Sequence, residues 1–119
     1  MLFRSGGEGM GYNAIFVVLP RGTAEHVMNV AKEAGAQGGT ILFARGTGAH
    51  EAKTFLGLTV DIAKEVLFVL TSEKDTERIL KAIVEAGHLE KPGTGIAFVM
   101  SVDKTVGLVN RDSGKPVKE

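Results

Sequence analysis

The sequence predicts an α+β fold built from two copies of one strand–helix–strand unit. The first observation is an internal repeat: a shift of 52 residues places Phe16 on Phe68 without a gap, and after an insertion of three residues Phe43 falls on Phe98. The second is that short apolar runs alternate with segments of helical spacing. Two such units in series favour a ferredoxin-like βαββαβ antiparallel sheet with two helices on one face.

Four short runs rich in β-branched and aromatic residues predict the strands. They are Ile15–Leu19, Gly39–Ala44, Glu65–Leu70 and Ile96–Val102. The first run, and most of the third and fourth, are apolar at every position, as in strands that are buried on both faces. Because two helices can cover only one face of a sheet, the other face is expected to be buried between subunits of a closed homo-oligomer.

The segments between the strands predict two helices with recognisable ends. Thr23 is expected to cap the first helix, which ends at Gly35. Ser72 and Asp75 have the spacing of a capping box at the start of the second helix, and Gly87 is expected to end it.

The chain of 119 residues suits a single domain with polar ends. Residues 1–13 are glycine-rich without periodicity and predict a disordered N-terminal arm. Residues 14–109 hold the folded domain, and residues 110–119 predict a flexible C-terminal tail. Met10 could be the natural start, so whether residues 1–9 are native stays open.

Composition excludes several classes of partner and site. The 14 basic and 14 acidic residues cancel, and one Tyr with no Trp offers little for base stacking, so no nucleic-acid partner is expected. The absence of cysteine excludes disulfides and thiolate metal sites. No apolar run approaches the roughly 20 residues that span a bilayer, so a cytoplasmic protein is expected.

Two glycine-rich turns flank predicted strands. Arg45-Gly46-Thr47-Gly48 follows the second strand, and Lys91-Pro92-Gly93-Thr94-Gly95 precedes the last one. Glycine turns expose backbone N–H groups that can bind anions, although such glycines can also serve only to turn the chain.

These turns, together with Gly38-Gly39-Thr40 entering the second strand, resemble those of the PII signal-transduction proteins, the nitrogen regulatory P-II family. The resemblance covers about residues 14–109 and is closest to a divergent PII-like branch with a shortened regulatory loop. It implies a homotrimer that binds a small-molecule effector, ATP or ADP, in clefts between subunits. It also implies regulation of a membrane transporter or an enzyme of nitrogen or carbon metabolism, and therefore a sensor without catalytic residues.

The resemblance also implies a nucleotide site. Thr40 matches the position near adenine and ribose, Gly46 and Gly48 match loop glycines near the phosphates, and Gly93 to Gly95 match a phosphate-facing turn. The full set of expected nucleotide-binding residues is Thr40, Arg45, Gly46, Thr47, Gly48, Lys91, Gly93, Thr94 and Gly95. No metal ligand is expected among them.

The chain departs from the family where the family carries cations. A lysine position falls on Ile96, and two arginine positions fall on Gly107 and Val109. Each lost charge-assisted hydrogen bond removes roughly 1.5–3 kcal/mol. Lys91 and Lys104, or Arg45 across an interface, could replace them. The resemblance leaves AMP, ADP, ATP or a small carboxylate open as the ligand.

The loop from Gly46 to Asp61 is expected to be the most mobile internal segment. Its Phe55–Leu58 tip is apolar and could dock a partner. His50 and Glu51 are the only adjacent acid–base or metal-binding pair, but no third ligand lies at motif spacing.

Two alternative functions stay open. The first is a trimeric binding protein for a non-nucleotide anion or a metal. The second is a small phosphate-handling enzyme of the same topology, which needs an Arg and an Asn near a phosphate loop, whereas Asn13 and Asn110 lie outside the predicted elements.

Overall fold

The computed structural model describes residues 11–46, 53–55, 58–60 and 62–108. It contains six strands and two helices among these residues. In chain order they are β1 Tyr12–Pro20, α1 Ala24–Glu33, β2 Gly39–Gly46, β3 Lys53–Phe55, β4 Leu58–Val60, β5 Ile62–Ser72, α2 Thr76–Gly87 and β6 Ile96–Val102, with a 3-10 turn at Glu73–Asp75 before α2.

Four strands form an antiparallel sheet in the order β2-β5-β1-β6, which confirms the predicted α+β, ferredoxin-like class. The helices start at Ala24 and Thr76, 52 residues apart, which is the offset of the sequence repeat. The repeat therefore describes two copies of a strand followed by a helix.

The two phenylalanines that the repeat aligns, Phe16 and Phe68, are paired with each other at the centre of the sheet. Phe16 lies directly opposite Phe68 on β5, and their rings stack with centroids 5.3 Å apart. The second part of the sequence repeat, which aligns β2 with β6, does not agree with the strand pairing in the structure, however. Phe98 lies opposite Phe16, whereas Phe43 lies opposite Glu65 on the other face of the sheet. An alignment shifted by an odd number of residues exchanges the two faces of a strand.

The helices cover one face of the sheet and enclose the core. Its largest fully buried apolar side chains come from β1, β5 and both helices: Ile15, Val17, Leu19, Val27, Leu67, Val69, Ile79 and Ile83. Burying each of them contributes about 1.5–3 kcal/mol relative to exposure, so this layer fixes both helices on the sheet.

The opposite face, here called the open face, is also apolar. Its side chains are Phe16, Val18, Leu42, Val66, Phe68, Leu70, Ile96, Phe98 and Met100. No described helix covers it, and Ile96, Leu42, Met100 and Phe98 are 58%, 51%, 47% and 44% exposed. The expectation of an uncovered apolar face is confirmed.

The start of α1 is capped by a distant residue. The backbone N–H of Ala24 donates to Glu65 Oε1 on β5, at 2.9 Å in a buried position. Thr23 makes no side-chain hydrogen bond to the helix, because its hydroxyl donates to Pro20 O instead. The predicted Thr23 cap is therefore wrong.

At the start of the second helix, Ser72 Oγ donates to Asp75 Oδ2 rather than to a backbone group. The pair thus brackets the 3-10 turn and does not form the expected capping box. Among the described residues, no helix is long and apolar enough to cross a membrane.

The folded domain begins slightly earlier in the structure than the sequence predicts. β1 begins at Tyr12, two residues before the predicted domain start, while residues 1–10 and 109–119 lie outside the described residues. Within the predicted mobile loop, β3 and β4 form an antiparallel pair in which Phe55 lies opposite Leu58. The mobility of this loop stays a prediction.

We expect Glu65→Ala to lower the free energy of unfolding by about 1–3 kcal/mol, because it leaves the buried N–H of Ala24 without an acceptor. Thr23→Ala should cost less than about 0.5 kcal/mol, since it removes only an exposed hydrogen bond. Urea unfolding of both variants checks this, and a larger loss for Thr23→Ala would contradict the assignment of the cap.

Candidate functional site

Arg45 and Gly46 of the first glycine turn are the last residues of β2, and Thr47 and Gly48 lie outside the described residues. The end of β2 and the Lys91–Gly95 turn lie at the same end of the sheet but on opposite edges. β2 ends at Gly46, opposite Ile62, while β6 begins at Ile96, opposite Val18. Three strand spacings of about 4.8 Å place these edges roughly 14 Å apart. A ligand that contacts both turns within one chain must therefore extend across the ends of β5 and β1.

Thr40 lies far from both turns. It is exposed on the open-face side of β2, opposite Phe68 and six residues before Gly46. At about 3.3 Å per residue, Thr40 and Gly46 are roughly 20 Å apart. One chain therefore does not bring the predicted site residues together in a single cleft.

Thr40 instead lines a pocket at the opposite end of the sheet. The pocket has a volume of about 190 Å³, and its other lining residues include Gln37, Phe68, Leu70 and Leu108. Leu108 belongs to the segment after β6, so the C-terminal part of the described chain returns to the start of β2. The pocket combines an apolar floor with the Thr40 hydroxyl and backbone groups of a glycine-rich strand end.

The turn before β6 contains two glycines that are needed for different reasons. Gly93 has φ +80°, and a Cβ atom there would meet nothing within 4 Å. Gly95 has φ +142°, and a Cβ atom there would lie 2.5 Å from Val18 O in the central strand. Packing against β1 therefore requires glycine at 95, whether or not a ligand binds.

Thr94 lies between these glycines, and its hydroxyl is used inside the turn. Thr94 Oγ1 lies 2.7 Å from His88 O and 2.8 Å from Lys91 O, so its single proton is shared between two backbone carbonyls. The side chain of Thr94 is thus not a free donor for a ligand.

His88 was not among the predicted functional residues, yet it shapes this turn. It adopts a left-handed conformation, with φ +53° and ψ +42°, directly after the last residue of α2. Gly87, expected to end the helix in this way, is helical instead, and a Cβ there would lie 3.2 Å from Leu89 Cδ2. The helix does end at Gly87, as predicted, but the left-handed cap residue is His88 and not a glycine.

The other residues that the sequence analysis singled out are exposed or lie outside the described residues. Arg45 and Lys91 are exposed, as is Lys104. Ile96, at an expected cationic position, is exposed on the open face, and Gly107 has φ +89°. Thr47, Gly48, His50, Glu51 and Val109 lie outside the described residues. Within the described residues, no group of three His, Asp or Glu side chains could hold a metal ion.

The sequence matches the model of one protein family over most of its length. The family model described as nitrogen regulatory protein P-II matches residues 12–111, which begins at the first residue of β1 and includes both glycine turns. No curated protein matches the chain by sequence.

We expect Gly95→Ala to destabilise the fold by about 3 kcal/mol or more, because it adds a backbone clash to a forbidden φ. Gly93→Ala should cost only about 1–2 kcal/mol, since it adds left-handed strain in open space. Thermal unfolding of the pair checks this. Equal losses would contradict the packing role of Gly95.

Proposed function

The chain belongs to the nitrogen regulatory protein P-II family, and from that premise we propose that it is a regulatory protein that senses a metabolite in clefts between the subunits of a homotrimer. The proposed effector is an adenine nucleotide. The proposed target is a membrane transporter or an enzyme of nitrogen or carbon metabolism, in the cytoplasm. The role is one of binding and not of catalysis.

The separation of Thr40 from the glycine turns carries the proposal. The predicted site residues on β2 lie at its two ends, roughly 20 Å apart, and the Lys91–Gly95 turn lies at the opposite edge of the sheet. A cleft that contains all of them needs two chains, one supplying the glycine turns and the other supplying Thr40 with the pocket beside Leu108. A site shared in this way links ligand binding to assembly.

The open face supports the assembly that this cleft requires. Its three central rings, Phe16, Phe68 and Phe98, stack across three adjacent strands. Neighbouring positions add Val18, Leu42, Val66, Leu70, Ile96 and Met100. Soluble monomers rarely expose an apolar surface of this extent, and burying it between three copies satisfies both the sheet and the family architecture.

The distance between the two glycine turns favours an extended ligand. A nucleotide can reach across the strand ends from one turn toward the other, whereas a lone inorganic anion contacts only one of them. Exposed cations are few at this end of the sheet: Arg21, Arg45 and Lys91 among the described residues, whereas Lys104 follows β6 at the opposite end. The proposed site therefore relies on backbone N–H groups and apolar contacts more than on charge.

A smaller anion is the alternative that the turn before β6 favours. The N–H groups of Gly93 and Gly95 make no backbone hydrogen bond to any described residue, which suits an anion of any size. Binding of phosphate with the same affinity as nucleotides would support this alternative.

The element proposed to contact the regulated partner is the segment between β2 and β5. It contains the β3–β4 pair at the place where the family has its regulatory loop. A short antiparallel pair can present a compact tip to a partner, which suits a loop shorter than the usual one.

We expect Phe98→Glu to convert the trimer into monomers, because a carboxylate on the open face would be buried without a partner. Lys81→Glu introduces the same residue on the exposed surface of α2 and should leave the assembly intact. Light scattering at micromolar concentration distinguishes the two variants. A trimeric Phe98→Glu variant would exclude the open face as the subunit contact.

We expect isothermal titration to show one adenine nucleotide bound per chain in the unaltered protein and none in the monomeric Phe98→Glu variant. Affinity should differ little between AMP and ADP and change less than about threefold between 50 and 200 mM salt, because few cations are close. Unchanged binding by monomers would contradict a shared cleft, and steep salt dependence with ATP would show that cations have replaced the missing ones.

A further inference from the structure

A small pocket lies on the helix side of the sheet, between the edge strand β2 and the start of α1. Its volume is about 280 Å³. The lining residues are Gly22, Glu25, Ile41, Phe43 and Glu65. Phe43 lies opposite Glu65 on β5, on the face that carries the helices. The pocket is therefore on the other side of the sheet from the open face, and none of its residues belongs to the expected nucleotide site.

The charged groups of the lining are two carboxylates. Glu65 is only 8% exposed, and its Oε1 accepts the N–H of Ala24 at 2.9 Å, which fixes the direction of the carboxylate. Its second oxygen, Oε2, makes no hydrogen bond or ion pair with a described residue. Glu25, in the first turn of α1, adds an exposed carboxylate. An almost fully buried carboxylate with one oxygen unused favours a cationic hydrogen-bond donor in the pocket.

Phe43 supplies an aromatic surface beside these carboxylates. It is 78% exposed, although it lies on the face of β2 whose other member, Ile41, packs against the core. The face of an aromatic ring attracts a cation, and a guanidinium group also stacks on it. A planar guanidinium can thus contact the ring and donate to a carboxylate at the same time.

Cations of the chain itself do not fill the pocket. Arg21 precedes Gly22, and Arg45 lies two residues after Phe43 on the same side of β2. Both arginines are exposed, and neither lines the pocket. The carboxylates are therefore available to a cation from outside the chain.

The size and place of the pocket favour a side chain of a partner protein over a free metabolite. Pockets that enclose small molecules are generally about 300–1,000 Å³ and bury most of the ligand. This one is smaller and has a largely exposed aromatic wall. Phe43 lies close to Gly46, where β2 ends and the segment proposed to contact the partner begins. The pocket and that segment are thus adjacent parts of one surface.

We propose that this pocket binds an arginine side chain of the regulated partner, whose guanidinium group donates to Glu65 Oε2 and Glu25 and stacks on Phe43. The inference rests on the proposed regulatory function, because it needs a partner protein, but it does not depend on which effector is bound. It assigns the partner a basic residue that docks at the base of the β2–β5 segment.

The probe is the blocked tripeptide acetyl-Gly-Arg-Gly-amide, added to the unaltered, assembled protein and followed by NMR. The resonances of Gly22, Ile41 and Phe43 should shift saturably with a Kd in the millimolar range, as expected for one side chain without the rest of an interface. The matched control is the same peptide with citrulline in place of arginine, which has nearly the same size but no charge. It should bind at least fivefold more weakly.

Two substitutions test the charge and the ring separately. Glu65→Gln keeps an acceptor for the N–H of Ala24 but removes the charge, and should weaken binding of the arginine peptide about tenfold. Phe43→Ala removes an exposed ring and should weaken it about threefold. Glu77→Gln makes the same charge change in the first turn of α2 and should leave the Kd within about 1.5-fold. Thermal unfolding checks that each variant is folded.

Equal affinity for the arginine and citrulline peptides would overturn the inference, as would an unchanged Kd in both Glu65→Gln and Phe43→Ala. An absence of saturable shifts in the assembled protein would also overturn it. If the shifts then appear in the monomeric Phe98→Glu variant, a neighbouring copy occupies the pocket instead. Peptide binding by a protein that binds no nucleotide would refute the proposed effector and leave the pocket assigned, whereas nucleotide binding without peptide binding would do the reverse.

Discussion

The whole structure depends on a sheet that is apolar on both faces, while the two helices among the described residues cover only one of them. On one side, Val17 and Leu67 are fully buried beneath α1 and α2. On the other side, Phe16, Phe68 and Phe98 stack in a row without a covering helix among the described residues. Because the strands alternate side chains between the faces, neither face can be made polar without changing every second residue. The proposed self-association would bury the face that the helices leave open.

The same sheet also separates the residues that are expected to bind the nucleotide. The residues that the family resemblance assigns to nucleotide binding lie at both ends of β2 and before β6 on the opposite edge of the sheet, so one chain does not bring them together. In the proposed trimer, association through the open face would supply the second half of a cleft and would couple ligand binding to the arrangement of the subunits.

The sequence predicted the elements well because their signals are local. Strands appeared as apolar runs and helices as periodic ones, and the repeat located both copies of each. The errors came from long-range contacts. Glu65 caps α1 from a residue 41 positions away, which no local pattern reveals, and this left Thr23 free to bond elsewhere. The left-handed residue after α2 is His88 and not the expected glycine, and Leu89 packs against Gly87. The local sequence does not reveal this packing either.

Site prediction was limited for a related reason. The glycine turns could be found from composition, but the use of each glycine could not, since Gly95 is required by the carbonyl of Val18 and Gly93 only by its φ. The internal bonding of the Thr94 hydroxyl depends on two carbonyls whose directions are set by the turn. Motif resemblance locates a turn, and the backbone geometry then decides which of its groups remain for a ligand.

Sedimentation equilibrium of the unaltered protein tests the central claim most directly, because it asks whether the open face is buried in solution. We expect a single trimeric species, with three times the chain mass of 12.6 kDa, that persists at low micromolar concentration. A species of one chain mass at those concentrations would contradict it, since the apolar face and the divided site would then both lack the second chain they require.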